Sequence, residues 1–573
     1  MRYILTLFFL GTTFCGFSQN QLLIPPTIES TNINLTLQNG THQFLSGQIT
    51  TTMGANGNIL GPTLIINKGD DININVTNNL AQTTTIHWHG MHVSAANDGG
   101  PHTTITPGET WNPQFTVLDK AATYWYHPHL DEYTDEHVSK GIAGMILVKD
   151  TDEAALTLPR TYGVDDFPLV VQTKDFDGNN QIVHHSNADD VLMVNATINP
   201  TLDVPAQMVR FRVLNGSSQR VFNFGLSGNK AFYQIATDGG LKTAPLSLTR
   251  LQLSPGERTE IIVDFSGLNG QSLQLMSYAS EFGNGIYGAT NPGMNSAMQL
   301  TNYNPNALNG TDFTILELNV IAQTVNPVTT IPTSLVTITP YLEANTDQSR
   351  TLTLQSVSGG QNQLNGDFTI NGVGLDMNII NMTIPLNNTE IWTIQNNSPI
   401  AHPLHIHDIQ YLILDINGNP PPASATGWKD TYLVPGGQGT MRIITKFTDF
   451  ADDIVPYMYH CHMLTHEDGG MMGQFTVVDT TANLTEVDLK NGFTLFPNPS
   501  KSSYMTVKLE NNNEKITSYA VSNQLGQIVG YHKIHQNEIS NIYSFPIFEY
   551  SAGIYILKIY SDEKIYTKKF VIE

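Results

Sequence analysis

The chain has 573 residues, with 27 basic and 50 acidic side chains and a formal net charge of -23 at pH 7. Proteins that bind nucleic acid use clustered lysines and arginines, so this charge balance argues against a nucleic-acid partner. At roughly 100 to 200 residues per domain, the length predicts three to five domains.

Residues 1–18 have the composition of a secretory signal peptide. Arg2 provides a charged start, and the apolar stretch that follows ends near Gly16-Phe17-Ser18. The stretch is shorter than the ~20 residues that a membrane-spanning helix needs, so we expect cleavage near Ser18 rather than an anchor. No later segment predicts a membrane span. We therefore expect the mature protein outside the cytoplasm.

Residues 19 to 480 consist mainly of short strand-like segments bounded by Gly, Asn, Pro and Asp. Many short strands without intervening helices predict an all-β fold of sandwiches or barrels. Three similar units follow one another, and each reaches a Pro-Gly turn, at Pro107-Gly108, Pro255-Gly256 and Pro435-Gly436. We predict three β-domains, over residues 19–150, 151–328 and 329–480.

The last part of the chain differs in composition. Residues 492 to 573 hold eight lysines and seven acidic residues, whereas the whole chain is strongly acidic. This change predicts a linker and a separate domain over residues 481–573, which we expect to be a small β-sandwich.

Four His-x-His pairs occur in the first and third units, and the second unit has none. Residues i and i+2 of a strand face the same side, so each pair presents two imidazoles together. Imidazole is a preferred ligand of copper, zinc, iron and nickel, and four pairs among 18 histidines predict metal binding. The pairs are His87 and His89, His127 and His129, His405 and His407, and His460 and His462.

Cys461 is the single cysteine expected in the mature chain, because Cys15 lies in the predicted signal peptide. It stands between two histidines, and a further histidine and Met471 follow within eleven residues. A thiolate, imidazoles and a thioether supply most of a blue-copper site. Since Cys461 faces the opposite side of its strand from His460 and His462, we expect two metal centres joined by a short covalent path for electrons.

With these motifs in order and at matching spacing, residues 21 to 480 resemble three-domain multicopper oxidases of the laccase and copper-efflux-oxidase type. The resemblance implies three cupredoxin-like Greek-key β-barrels and four coppers per chain. It also implies a small-molecule reductant as electron donor and dioxygen as acceptor. The type 1, or blue, copper is assigned to His402, Cys461, His466 and axial Met471, with Met472 as the alternative axial ligand. The type 2 copper is assigned to His87 and His405. The two type 3 coppers are assigned to His89, His127 and His462, and to His129, His407 and His460.

Two carboxylates, Asp98 and Glu467, match positions that deliver protons to reduced oxygen in the similar oxidases. Dioxygen needs four protons and four electrons to become two waters, and buried carboxylates can be tuned to deliver the protons. The alternative for Asp98 is an ordinary Asx turn. The alternative for Glu467 is a solvated charge beside a ligand.

The sequence also bears on the reductant. Copper-efflux relatives carry a methionine-rich insertion, and an acid and a methionine just before the His-Pro-x-His-x-His motif. Residues 397–401 here read Asn-Ser-Pro-Ile-Ala, so soft thioether ligands for Cu(I) are missing. We therefore expect phenols or aromatic amines as donors. The alternatives are an oxidase of Cu(I), Fe(II) or Mn(II), and a non-catalytic copper-binding protein.

The tail resembles the sorting domain of the type IX secretion system. Its opening, Phe496-Pro497-Asn498-Pro499, and the segments 553–559 and 568–572 carry the resemblance. It implies export through the periplasm to the cell surface or beyond, with the secretion machinery as partner. The alternative is a sandwich that binds a glycan or another partner.

Overall fold

The computed structural model describes residues 20–293, 306–357, 367–479, 493–511, 515–523, 528–534, 540–548, 550–561 and 565–573. The predicted signal peptide and most of the predicted linker lie outside the described residues. Within the described ranges, β-strands arranged in pairs of facing sheets dominate. None of the helices in these ranges is long and apolar enough to cross a membrane.

The first barrel packs two sheets around apolar side chains that alternate along the strands. In the third strand Ile33, Leu35 and Leu37 are buried, and their polar neighbours are exposed or half-buried, as expected where one sheet face meets a core. The strands are β1 (Asn20–Gln21), β2 (Thr27–Glu29), β3 (Asn32–His42), β4 (Thr50–Ala55), β5 (Thr63–Asn67), β6 (Asp71–Asn78), β7 (His87–His89), β8 (Thr110–Trp111), β9 (Gln114–Thr116), β10 (Ala122–His127) and β11 (Gly144–Lys149). One sheet has the order β2-β5-β11-β10-β7 and the other β4-β3-β6-β8, with β9 also on β6. β1 pairs instead with residues 200–201 of the next barrel.

The second barrel has its own core of buried valine, leucine, isoleucine and phenylalanine side chains. Its strands are β12 (Asp166–Phe176), β13 (Ile182–Val183), β14 (Val191–Val194), β15 (Thr197–Ile198), β16 (Pro200–Pro205), β17 (Met208–Asn215), β18 (Phe222–Leu226), β19 (Phe232–Thr237), β20 (Gly240–Leu248), β21 (Leu251–Leu253), β22 (Arg258–Asp264), β23 (Ser272–Tyr278) and β24 (Asp312–Ile321). One sheet has the order β1-β16-β24-β23-β18-β21, and the other β15-β14-β12-β17-β22-β19-β20, with β13 on β12.

The third barrel repeats the arrangement of the first, with two five-stranded sheets. Its strands are β25 (Gln348–Ser356), β26 (Phe368–Ile370), β27 (Met382–Pro385), β28 (Thr389–Asn396), β29 (His402–Ile406), β30 (Leu412–Ile416), β31 (Thr431–Val434), β32 (Gly439–Lys446), β33 (Asp452–Cys461) and β34 (Met472–Val478). The sheet orders are β26-β25-β28-β32-β30 and β27-β34-β33-β29-β31. Four of the predicted ligands of this barrel lie on strands of the second sheet, His402 and His405 on β29 and His460 and Cys461 on β33.

The tail forms a small sandwich with a separate core that includes Phe545, Leu557 and Phe570. Its strands are β35 (Phe493–Phe496), β36 (Tyr504–Leu509), β37 (Ile516–Ser522), β38 (Ile528–Lys533), β39 (Ile542–Pro546), β40 (Gly553–Ser561) and β41 (Ile565–Ile572). Lys558 of the tail forms an ion pair with Asp453 of β33. The predicted fold class, three consecutive barrels and a C-terminal sandwich, is confirmed.

The described helices are all short. They are α1 (Ala95–Asp98), α2 (Thr134–Ser139), α3 (Thr151–Ala154) and α4 (Leu464–Asp468). α1 ends at Asp98, where Gly99 adopts a φ of 80° that favours glycine. α4 carries His466 and Glu467 directly after β33. Two of these short helices therefore place side chains that the sequence singles out.

Candidate metal centres between the first and third barrels

Antiparallel strand pairing brings the four His-x-His pairs together. In the first barrel His87 of β7 lies opposite His127 of β10, and in the third barrel His405 of β29 lies opposite His460 of β33. Opposite residues of an antiparallel pair project to the same face of the sheet. All eight histidines of the pairs are buried, and the two sets meet where the first barrel packs on the third.

Two groups of three imidazoles converge at this seam. In the first group the Nε2 atoms of His129, His407 and His460 lie 3.2 to 3.3 Å from one another. In the second, Nδ1 of His89 lies 3.3 Å from Nε2 of His127 and 3.2 Å from Nε2 of His462. These sets match the two type 3 assignments made from the sequence. Each combines residues of both barrels, so neither barrel could form either group alone.

His87 and His405 lie against these groups, since the ring of His87 stacks on His407 at 3.9 Å and the ring of His405 stacks on His89 at 3.7 Å between centroids. His87 donates from Nδ1 to the carbonyl of Asp98 at 3.0 Å, and His405 donates from Nδ1 to the carbonyl of Asp430 at 2.9 Å. Their Nε2 atoms are buried without a hydrogen-bond partner among the described residues. A buried polar atom without a partner is costly, so two such nitrogens in one space indicate a ligand.

The thiol site lies inside the third barrel. Cys461 Sγ is 3.5 Å from Nδ1 of His402 and 3.6 Å from Nδ1 of His466. His402 is oriented by a 2.7 Å hydrogen bond from its Nε2 to Ser398 Oγ. The ring of Phe368 packs against both imidazoles, at 4.8 and 4.5 Å between ring centroids. The sulfur and the two ring nitrogens thus share one apolar pocket.

The positions of the two methionines differ. Met471 belongs to the same apolar cluster as Cys461, and its carbonyl accepts the N–H of Cys461 at 3.1 Å. Met472 lies opposite His460 on the neighbouring strand, so its side chain shares the face of the strand that carries the imidazole groups. The arrangement therefore favours Met471 over Met472 as the thioether near the thiol.

Burial controls the protonation of these groups. Removal from water lowers the pKa of His129 and of His460 to about 3, because the charged imidazolium is poorly solvated there. Burial and neighbouring imidazoles also hold the pKa of His405 well below its usual range. Neutral imidazoles are the form that binds metals. Burial raises the pKa of the Cys461 thiol, so a thiolate at neutral pH requires a cation beside it.

Both predicted carboxylates contact the imidazole groups. Asp98 Oδ2 accepts from Nδ1 of His407 at 2.7 Å, and Asp98 Oδ1 lies 3.3 Å from Nδ1 of His87. Glu467 Oε1 lies 3.4 Å from Nδ1 of His129, and Oε2 lies 3.1 Å from Nδ1 of His460. Both side chains are buried, so neither is a solvated charge. Each touches two of the predicted ligands on the side away from the converging nitrogens.

The donor sets fit copper. The ligand atoms of each predicted group lie within 4.8 Å of one another. This holds for the three imidazole groups and for the group of His402, Cys461 and His466. Two imidazoles, one thiolate and a nearby thioether form the donor set of blue-copper sites, and imidazole suits copper at the other positions. The buried, unpartnered nitrogens of His87 and His405 are consistent with a metal between them.

One buried carboxylate at this site was not predicted. Asp430 lies beside His89 and His405, and Arg258 of the second barrel pairs with it. Asp430 is not adjacent in sequence to any His-x-His pair, and aspartate is common in loops. Its contact with His89 spans 341 positions of the chain, so the motif spacing contains no sign of it.

Comparisons with known proteins agree with this geometry. Family models described as multicopper oxidase match residues 36–153, 156–299 and 345–481, and a model described as a secretion system C-terminal sorting domain matches residues 494–573. The chain is 32% identical to multicopper oxidase mco of Staphylococcus haemolyticus, over 80% of this chain and 93% of that protein. It is also 32% identical to cell division protein FtsP of Sodalis glossinidius, over 80% and 92% of the two chains.

Among solved structures, the chain is similar to the laccase-like multicopper oxidase CueO from Ochrobactrum sp.. The TM-score is 0.70 with 33% identity, over 80% of this chain and all of that one. That oxidase is described as active towards lignin model compounds and lignosulfonate. The tail, residues 494–573, is matched separately by the sorting-domain model.

Proposed function

Because the chain belongs to the multicopper oxidase family, we propose that it is an exported oxidase that takes single electrons from phenols or aromatic amines and reduces dioxygen to water. The observation that carries this proposal is the geometry of β33. The end of this strand directs Cys461 to His402 and His466 on one side, and His460 and the following residue His462 to the two imidazole groups on the other.

The proposed ligands divide the coppers between two places. His402, Cys461, His466 and Met471 would hold the type 1 copper, and His87 and His405 the type 2 copper. The type 3 pair would be held by His89, His127 and His462, and by His129, His407 and His460. Copper bound at the type 1 site would supply one-electron transfer. Copper bound at the type 2 and type 3 sites would supply the four-electron reduction of dioxygen.

The protein's own groups hold the two centres in fixed relation. The peptide bonds on either side of Cys461 join the thiol to His460 and His462, so the distance between the centres is set by covalent geometry. Asp98 and Glu467 contact the imidazole groups, and in this proposal they would hold protons there. All these side chains are buried, so bulk water is excluded. This exclusion would protect reactive intermediates from side reactions.

The choice of donor rests on two observations. Residues 397–401 lack the acid and the methionine of copper-efflux relatives, and Ser398 bonds to His402 instead. The similar Ochrobactrum oxidase is described as acting on lignin model compounds. Both support an organic donor over a metal ion.

A non-catalytic role on the same fold is the rival from another class, since a cell division protein is among the relatives. The chain retains the ten imidazoles, the thiol and the thioether of a complete set, and the structure gathers them into compact groups. A protein without redox chemistry has no need of this set. The site therefore favours catalysis.

For the tail, we infer a role in export. Residues 494–573 match a sorting-domain model, and the predicted signal peptide would bring the chain to the periplasm first. We propose that the tail is then recognised by the type IX machinery and that the enzyme acts at the cell surface or beyond.

The test is oxygen uptake by the copper-loaded protein with a phenol, an aromatic amine, Cu(I), Fe(II) and Mn(II) in parallel. The Cys461→Ser variant, loaded in the same way, is the control for uptake that does not use the proposed path. We expect uptake with the organic donors in the wild-type protein alone. Uptake with only the metal ions would contradict the donor class, and no uptake with any donor would support the non-catalytic rival.

A further inference from the structure

Asp430 occupies the side of the imidazole groups that faces the second barrel. Its Oδ1 lies 3.2 Å from Nε2 of His89, and its carbonyl accepts from Nδ1 of His405 at 2.9 Å. The neighbouring Thr431 Oγ1 lies 3.1 Å from the same Nε2 of His89. One residue thus contacts a proposed type 3 ligand with its side chain and a proposed type 2 ligand with its backbone.

Arg258, the first residue of β22, holds this carboxylate in place. Its two terminal nitrogens donate to Oδ1 and Oδ2 of Asp430, both at 2.6 Å, which is the two-point geometry that fixes a carboxylate plane. Arg258 also donates from Nε to the carbonyl of Thr123 at 3.0 Å, which ties it to the first barrel. Both charged side chains are fully buried. The ion pair therefore joins all three barrels beside the imidazoles.

The contact determines which nitrogen of His89 is available. A carboxylate only accepts hydrogen bonds, so Nε2 of His89 carries the proton and Nδ1 keeps its lone pair. His89 is the member of its group that turns Nδ1 to the centre, whereas His127 and His462 turn Nε2. We propose that Asp430, clamped by Arg258, is a positioning residue that fixes the ring nitrogens offered to copper by His89 and His405. This inference rests on the ligand assignment of the proposed function.

Gly90 shows that the ion pair needs close approach. A Cβ at this position would lie 2.4 Å from Oδ2 of Asp430 and 2.6 Å from a terminal nitrogen of Arg258. Its φ of 86° is also a backbone conformation that favours glycine. Glycine at the position after His89 therefore leaves room for the ion pair of Asp430 and Arg258 next to this ligand.

A metal ion held by Asp430 itself is the competing interpretation, since Asp430, His89 and His405 form one of the groups close enough to bind a cation. Two contacts argue against it. Both oxygens of Asp430 already accept from Arg258, whose charge would repel a cation. Nδ1 of His405 already donates to the Asp430 carbonyl. The group is better explained as the outer support of ligands whose other nitrogens face the centre.

The test compares Asp430→Asn with Asp166→Asn in the full-length, copper-loaded protein. Asp166 is a matched control because it is buried and binds Arg212 at two points, at 2.8 Å, without contact to a proposed ligand. The measurements are copper per chain, retention of copper against a chelator, the electron paramagnetic resonance spectrum of type 2 copper, and the blue absorption. Replacement of a group that supports a ligand weakens metal binding roughly 10- to 100-fold.

We expect Asp430→Asn to keep the blue absorption while it loses cluster copper about 10- to 100-fold more readily and changes the type 2 spectrum. Asp166→Asn should match the wild-type protein in all four measurements. Unchanged retention and spectra in Asp430→Asn would overturn the inference, and so would equal copper loss in both variants, which indicates general destabilisation. A wild-type protein that never takes cluster copper would overturn the proposed function itself.

Loss of one partner of a buried ion pair is strongly destabilising, so Asp430→Asn can fail to fold. Arg258→Lys, with Arg212→Lys as its control, then carries the test. Lysine keeps the charge but not the two-point geometry, so it loosens Asp430 without touching a ligand. Weaker cluster-copper retention in Arg258→Lys than in Arg212→Lys is expected, and equal retention would contradict the clamp.

Discussion

At the scale of single residues, Cys461 links the two proposed centres, because its sulfur faces one and its chain neighbours face the other. Cys461→Ser should abolish the blue colour and reduce turnover to background. A hydroxyl is a poor ligand for copper, and the path through the thiolate is lost. Absorption spectra and oxygen uptake of the copper-loaded variant check this. Full oxidase activity in the variant would disprove the proposed electron path.

Glu467 is expected to act on oxygen reduction and not on the donor. Glu467→Gln keeps the shape of the side chain but removes the carboxyl group that takes up and releases a proton. Oxygen reduction should therefore slow by about 100-fold or more, while the donor still reduces the blue copper. Stopped-flow measurement of each half-reaction separates the two effects. Asp468→Asn is the control, since Asp468 lies on the same helix but accepts from Thr134 and Asp135 instead of a ligand. Slower reduction of the blue copper in Glu467→Gln would show that Glu467 acts at the blue copper, which would contradict its proposed role in oxygen reduction.

The His-x-His pairs and Cys461 could be singled out from the sequence because strand periodicity and motif spacing are local properties of the chain, whereas the assignment of ligands to individual coppers came from the resemblance to multicopper oxidases. His460, Cys461 and His462 illustrate this, since alternation alone predicts their opposite faces. Asp430 and Arg258 could not be found in this way. They are 172 positions apart, and their contact depends on how the second barrel packs on the third.

At the scale of elements, the Pro-Gly turns of the first and second barrels differ in the side chains that surround them. Gly108 and Gly256 both adopt a φ of 84°, but a Cβ at Gly256 would lie 2.9 Å from the ring of His462, whereas a Cβ at Gly108 meets nothing within 4 Å. The turn of the second barrel therefore packs directly against a proposed ligand.

This difference allows a paired prediction. Gly108→Ala should cost about 1 to 3 kcal/mol of unfolding free energy from backbone strain alone. Gly256→Ala should cost about 1 to 3 kcal/mol more, because the methyl group must displace His462, and it should lower the copper content of the cluster. Denaturant unfolding and metal analysis measure both effects. Equal costs and equal copper contents in the two variants would show that the turn does not support His462.

Apolar residues that alternate over several positions predict strands, as β6 illustrates. β1 shows where this reasoning ends. It has two residues and no apolar pattern, and it joins the second barrel through parallel pairing with Pro200 and Thr201. Such a pairing depends on the path of the chain between barrels and not on local periodicity.

At the scale of the whole molecule, the second barrel has none of the proposed ligands. Its turn at Gly256 lies against His462, and its Arg258 binds Asp430, which in turn contacts His89. Its presence explains how imidazoles from two other barrels keep a common geometry. The tail contacts the third barrel through Lys558 and Tyr560. Both approach the side chain of Asp453, near the start of β33.

The tail should be separable from catalysis. A chain that ends after residue 485 keeps all described strands of the three barrels and omits the tail core, so we expect a folded, active oxidase from a heterologous host. In the native host the same truncation should leave the enzyme in the periplasm. Oxygen uptake and cell fractionation test the two statements. Normal export of the truncated chain would assign the tail to another purpose, such as binding a glycan.

The central claim is that one chain holds a blue copper and a three-copper cluster. The most direct measurement is the copper content of the folded, fully loaded protein, combined with its visible absorption. We predict four coppers per chain and an intense thiolate-to-copper band. A content of one or two coppers, or a fully loaded protein without the blue band, would contradict the assignment of the ligands.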